Sequence, residues 1–131
     1  VYLYDKKYDS AISIFNEIIK SAPDLEKPYL LLSQVYQGHK DNASAEAILV
    51  KGKANVSDSK KILFRLAAIY ESSGQNKKAL DAYRELYANT PDNLLIMNNF
   101  ASTLSEYGNT KEDLELAGEL AGKLEETGKA V

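Results

Sequence analysis

Residues 63–91, LFRLAAIYESSGQNKKALDAYRELYANTP, decide the fold. Leu63, Leu66, Ala67 and Tyr70 fall at i, i+3, i+4 and i+7, which is one face of a helix. Gly74 then supplies a helix stop. Ala79, Tyr83 and Leu86 place a second stripe at i, i+4 and i+7, and Pro91 closes it. The stretch predicts two helices joined by a short turn. No part of it alternates with the period of two that a half-buried strand needs.

The same plan recurs outward from this stretch in steps of 34 residues. Tyr2, Tyr36, Tyr70 and Leu104 keep the step, as do Ala11, Ala45 and Ala79. Phe15, Leu49 and Tyr83 follow it, and so do Ile18, Gly52 and Leu86. Leu32, Leu66 and Phe100 form a further register beside Ser33, Ala67 and Ala101. Each register keeps its type: large apolar, small, or helix-terminating. Small residues at matching heights let two antiparallel helices approach to roughly 8–10 Å. Large ones fill the spaces between neighbouring pairs. One pair alone cannot bury its apolar faces, so the units must stack. Asp41 is expected to cap one helix, Asp24 and Asp92 two others, and Ser57 to serve where a proline is missing.

This pattern resembles the tetratricopeptide repeat, whose run is an aromatic, x2-L-G, x2-Y, then A-x3-F and a closing proline. Here it reads Tyr29-x2-Leu32-Ser33-x2-Tyr36 with Ala45-x3-Leu49. It reads again as Leu63-x2-Leu66-Ala67-x2-Tyr70 with Ala79-x3-Tyr83 and Pro91. The first unit keeps Ala11-x3-Phe15 and Pro23, and the fourth keeps Met97-x2-Phe100-Ala101-x2-Leu104. The resemblance implies an all-α, right-handed α-solenoid of antiparallel helix pairs. It divides a single domain, 1–131, into a partial repeat over 1–25 and repeats over 26–59 and 60–93. A divergent repeat follows over 94–131.

The last unit departs from the pattern. Thirty-four residues after Ala79 stands Asp113, which does not suit a tight crossing. Ala117-x3-Ala121 and Leu124 restore the pattern four residues later, so an insertion of about one helical turn is expected near Gly108–Asp113. At the other end, Val1 to Tyr4 reads as the last turn of a truncated first helix. Leu120, Leu124 and Val131 carry the apolar pattern on without a polar cap. The chain is therefore expected to be a middle or terminal piece of a longer repeat protein, or else to pack its exposed ends against another copy.

Composition excludes several classes. The chain has 131 residues, no cysteine, no tryptophan and one histidine, which rules out disulfides and thiolate metal sites. Sixteen basic and nineteen acidic side chains give a net charge of −3, unlike the basic surface of a nucleic-acid binder. No apolar run approaches the ~20 residues of a membrane span. The acidity is local: residues 106–131 hold seven acids and three bases, and the rest hold twelve and thirteen. The compartment stays open between cytoplasm and periplasm.

No catalytic constellation, metal site or cofactor site is expected. His39 reads as a solvated turn residue. Glu112, Asp113, Glu115 and Glu119 read as acids that favour a helix N-terminus. Lys60–Lys61 and Lys77–Lys78 are too short to make a nucleic-acid patch. Gly118 and Gly122 sit inside a helix, either packed by a further helix or tolerated in a weaker one. What remains is the groove that the first helices of such units line. Its candidate residues are Leu30 and Gln34, then Lys61, Phe64, Arg65 and Ala68, then Asn98, Asn99 and Ser102. Leu30 and Phe64 can take an apolar anchor, the amides can pair with a main chain, and Lys61 with Arg65 can meet a carboxylate.

Lys61 and Arg65 also match the third-unit basic pair of repeat domains that clamp acidic chaperone tails. Leu31 stands where that clamp needs an asparagine, so the match is partial. Leu31 and Arg65 likewise interrupt any asparagine ladder through Asn99. The expected function is a non-enzymatic protein–protein interaction scaffold that binds a peptide or partner segment in this groove. The alternatives are a structural segment that packs on another copy or on a larger repeat protein, and the docking arm of an enzyme domain outside these residues.

Overall fold

In the computed structural model, residues 2–130 are described, with side chains for residues 6–128. The matches read at Val1, Tyr2 and Val131 lie outside the described side chains. Seven helices follow one another: α1 (Tyr2–Ser21), α2 (Glu26–Gly38), α3 (Asn42–Asn55), α4 (Lys60–Ser72), α5 (Asn76–Asn89), α6 (Leu94–Tyr107) and α7 (Lys111–Ala130). No strand occurs among the described residues. The connections alternate between four residues (22–25, 56–59, 90–93) and three (39–41, 73–75, 108–110). That alternation is the mark of a two-helix repeat.

The chain forms two compact units, divided between Ile69 and Tyr70 within α4. In the first, α2 packs against both α1 and α3. Its core holds Ile19, Tyr29, Leu32, Leu49, Ile62 and Leu66, with Ala45 and Ala67 buried at the crossings. Ser33 is buried as well, and its hydroxyl is satisfied by donating to the Leu30 carbonyl at 2.7 Å. Gly52 is required by packing. A Cβ there would lie 2.8 Å from Tyr29 Cγ and 3.0 Å from Ile62 Cδ1. In the second unit α6 packs against α5 and α7. Ala79, Tyr83, Leu86, Phe100, Leu104 and Leu120 form its core.

The helix ends correct the expected caps. Asp41 does cap α3, accepting from Ser44 N at 3.1 Å. The residues that precede α2, α4 and α6 are Leu25, Ser59 and Asn93, one to two positions after the expected Asp24, Ser57 and Asp92. Ser59 and Asn93 accept from the backbone N–H three residues on, at 3.1 Å each. Leu25 makes no side-chain cap bond. Two three-residue turns share one geometry. Gly74 (φ 75°) and Lys40 (φ 59°) sit in the left-handed region. Gln75 N–H then reaches Tyr70 O, and Asp41 N–H reaches Tyr36 O, closing each helix over its last carbonyls.

Three further expectations change. First, α1 runs unbroken from Tyr2 to Ser21, with no turn after Tyr4. Second, no one-turn insertion is seen near Gly108. Instead α6 has 14 residues where α2 and α4 have 13, and α7 starts one residue late. Ala117 and Leu120 are buried in the registers of Tyr83 and Leu86. Asp113 is tolerated in the small-residue register for two reasons. Gly108 gives it room, since a Cβ there would lie 2.9 Å from Asp113 Cβ, and Arg84 pairs with it at 3.1 Å. Third, His39 is not a solvated turn residue. It is half-buried and stacks on Tyr8, with ring centroids 3.4 Å apart.

Candidate functional site

The α4 helix presents the strongest candidate surface. Ser59 fixes its start by accepting from Ile62 N and donating to the Glu26 carboxylate. Ile62, Leu63, Leu66, Ala67 and Ile69 are buried. That leaves Lys61, Phe64, Arg65 and Ala68 at i, i+3, i+4 and i+7 on one other face. Lys61 and Ala68 are exposed, while Phe64 and Arg65 are half-buried. In the same unit, Leu30 and Gln34 share a face of α2 one turn apart, the first half-buried and the second exposed. The α4 face can offer an aromatic ring to an apolar group and two cations to a carboxylate, and the α2 face an aliphatic side chain and an amide.

The second unit holds Asn98 and Ser102 exposed on α6, and Asn99 half-buried beside them. Asn99 is already engaged. Its side chain hydrogen-bonds the Tyr83 hydroxyl, which donates to Glu71 Oε2 at 3.1 Å. Burial, then the Glu71 charge, push the Tyr83 phenol well above its ordinary range. The Asn99 main chain is held too, since its carbonyl accepts from the buried Thr103 hydroxyl at 2.8 Å. This network joins α4, α5 and α6, and it was missed in the sequence. Tyr83 reads there as plain core, and only the spacing Glu71–Tyr83, twelve residues across a turn, hints that the two can meet.

Among the described residues no group of three or more metal-ligating side chains converges. Asp113 faces Arg84 and is not an open acid. Among the described residues, no helix is long and apolar enough to cross a membrane.

Short helices in alternating turns, with small residues at their crossings and an apolar core, define an all-α helical-repeat protein of the solenoid class. A sequence model of the tetratricopeptide repeat matches residues 61–93. The human tetratricopeptide repeat protein 21A is 28% identical over 126 residues, covering 94% of this chain and 9% of that protein. The chain thus spans about a tenth of that relative's length. These matches, with the repeat registers and the fold, support an assignment to the tetratricopeptide-repeat family.

Solved structures carry the same fold. A crystal structure of MamA aligns with a TM-score of 0.72 at 17% identity, covering 98% of this chain and 70% of that one. A MamA structure from Desulfovibrio magneticus RS-1 gives 0.70 at 17% identity, with coverages of 98% and 70%.

Proposed function

We propose that the chain is a non-enzymatic scaffold that holds a peptide or partner segment on the α4 face of the first unit. Its repeats divide at 1–25, 26–59, 60–93 and 94–131. Phe64 takes an apolar anchor with Leu30 nearby on α2, Arg65 and Lys61 meet a carboxylate, and Gln34 pairs with main-chain groups. Ala68 leaves room for the bound segment. In the second unit, Asn98 and Ser102 offer exposed polar contacts, and the amide of Asn99, oriented by Tyr83, offers another.

The observation that carries this proposal is Phe64. It is a half-buried aromatic outside the buried stripe of α4, set between two cations of its own face. The test uses Phe64→Ala and Arg65→Glu, each checked for wild-type helicity by circular dichroism. Both are expected to lose partner capture. If either folded variant captures the same partners at the same yield, the α4 face is not the binding surface.

A second role, self-association, is favoured by one specific observation: Ile14 is 58% and Ile18 is 38% exposed on α1.

A further inference from the structure

We propose that the exposed face of α6 takes a cationic side chain, a lysine or an arginine, from the bound partner segment. This rests on the reading of the chain as a scaffold that holds such a segment, and it names the chemistry that the second unit selects. The starting point is the single proton of the Tyr83 hydroxyl. Tyr83 donates it to Glu71 Oε2 at 3.1 Å. A carboxylate has no proton to give back, so the phenol oxygen can meet Asn99 only as an acceptor. The Asn99 amide must then turn its Nδ2 towards Tyr83. That leaves the Asn99 carbonyl oxygen, Oδ1, to accept from a partner. An asparagine can present either a donor or an acceptor. Here Glu71, acting through Tyr83, decides that it presents the acceptor.

The rest of the face has the same polarity. Leu95, Asn99, Ser102 and Glu106 follow at i, i+4, i+7 and i+11, which is one stripe of α6. Leu95, Ser102 and Glu106 are exposed, and Asn99 is half-buried between them. Helix α6 contains no lysine or arginine, and Glu106 is its one charged residue. Glu71 and Glu106 both bear on Tyr107. Its phenol is raised first by a hydrogen bond to Glu106, then by desolvation and by the charges of Glu106 and Glu71. Other cations of this unit are engaged elsewhere. Arg84 pairs with Asp113 at 3.1 Å, Lys111 with Glu115 at 3.9 Å, and Lys123 donates to the Tyr87 hydroxyl at 3.2 Å. Lys78 sits over the Tyr70 ring at 5.6 Å. A face of carboxylate and carbonyl oxygens is complementary to an ammonium or guanidinium group and repels a carboxylate. Leu95 fits the same guest. Lysine and arginine pack an apolar stem on aliphatic surface while the charged head stays among polar groups. Leu95 is 58% exposed and lies about 6 Å along the helix from Asn99, a distance that such a stem spans.

The test screens an immobilised library of short random peptides with the purified chain, each variant being checked for wild-type helicity by circular dichroism. Peptides selected by the wild type are expected to be enriched in lysine and arginine. Replacing the selected basic residue by norleucine should weaken binding about tenfold. Glu71→Lys should remove the enrichment for two reasons. It puts a like charge at the site, and as a donor to the Tyr83 oxygen it turns the tyrosine proton onto Asn99 Oδ1. Glu71 is exposed near the end of α4, so the change leaves the core alone. Glu119→Lys alters the net charge equally from an exposed position on α7 and should keep the enrichment. Tyr83→Phe reads the positioning by itself. It should shift the Asn99 side-chain amide signals in a proton–nitrogen correlation spectrum and lower the basic preference, with Asn99 itself unaltered. Selected peptides without a basic preference, a preference that Glu71→Lys leaves intact or that Glu119→Lys removes equally, or Asn99 signals unmoved by Tyr83→Phe would overturn the cation site while leaving the scaffold standing. A folded wild-type chain that selects no peptide at all would overturn both.

Discussion

Replacing Gly52 by alanine sets two effects of known sign against each other. Alanine in a helix interior is favoured over glycine by about 1 kcal/mol. Against that stands the contact the new Cβ would make, 2.8 Å from Tyr29 Cγ and 3.0 Å from both Tyr29 Cβ and Ile62 Cδ1. The Ile62 methyl is the end of a flexible side chain and can turn. Tyr29 Cγ and Cβ sit next to the backbone. The ring is fully buried, and its hydroxyl is tied to the Pro23 carbonyl at 2.6 Å. The ring therefore has little room to give way, and α2 must move. Overpacking of this kind costs about 1–3 kcal/mol, so the net effect runs from no change to a loss of about 2 kcal/mol, or up to roughly 8 °C in Tm for a chain of this size. Gly118→Ala is the matched control. It is also inside a helix, but nothing lies within 4 Å of its Cβ position. It should gain up to about 1 kcal/mol. Urea and thermal unfolding followed by circular dichroism measure both. A Gly52→Ala chain stabilised as much as Gly118→Ala would refute the Tyr29–Gly52 packing.

Two further predictions concern the turn at Lys40 and the network at Tyr83. Lys40→Gly relieves a left-handed residue worth about 1–2 kcal/mol, offset in part by the greater freedom of glycine in the unfolded chain. A net gain of about 0.5–1 kcal/mol in urea unfolding is expected, and a loss would mean that Lys40 contributes more than its backbone. Tyr83→Phe removes the bonds to Glu71 and Asn99 and should lower stability by about 1–2 kcal/mol. The folded phenol is shifted up from the ordinary tyrosine value of about 10, so above that pH the unfolded chain loses a proton that the folded chain keeps. Stability of the wild type should therefore fall more steeply with alkaline pH than that of Tyr83→Phe, and parallel curves would exclude the shift.

The helix pairs were legible because the 34-residue registers are enforced by contact. A small residue recurs where two helices cross, and Ala45, Ala67 and Ala79 are all fully buried. The caps were read one or two positions early because Pro–Asp and Ser–Asp look like helix starts. The cap that matters is the residue whose oxygen reaches the third N–H, here Ser59 and Asn93. The insertion was misread for a related reason. Asp113 looked unfit for a crossing, but its fit depends on Gly108 and Arg84, which lie five and twenty-nine residues away. Of the candidate site, the faces of α2 and α4 followed from helical spacing alone. The engagement of Asn99 by Tyr83 did not, because a tyrosine in a core register shows nothing of where its hydroxyl ends.

The most direct test of the scaffold is to locate the partner on the surface. A photoreactive amino acid placed at Ala68 sits exposed on the α4 face, and one at Val50 sits exposed on a different helix, α3. Irradiation in extracts from the native source, followed by gel shift and mass spectrometry, reads which position meets a bound protein. Capture at Ala68 and not at Val50, abolished by Phe64→Ala, is the predicted result. Equal capture at both positions, or capture at Val50 alone, would contradict a binding face on α4.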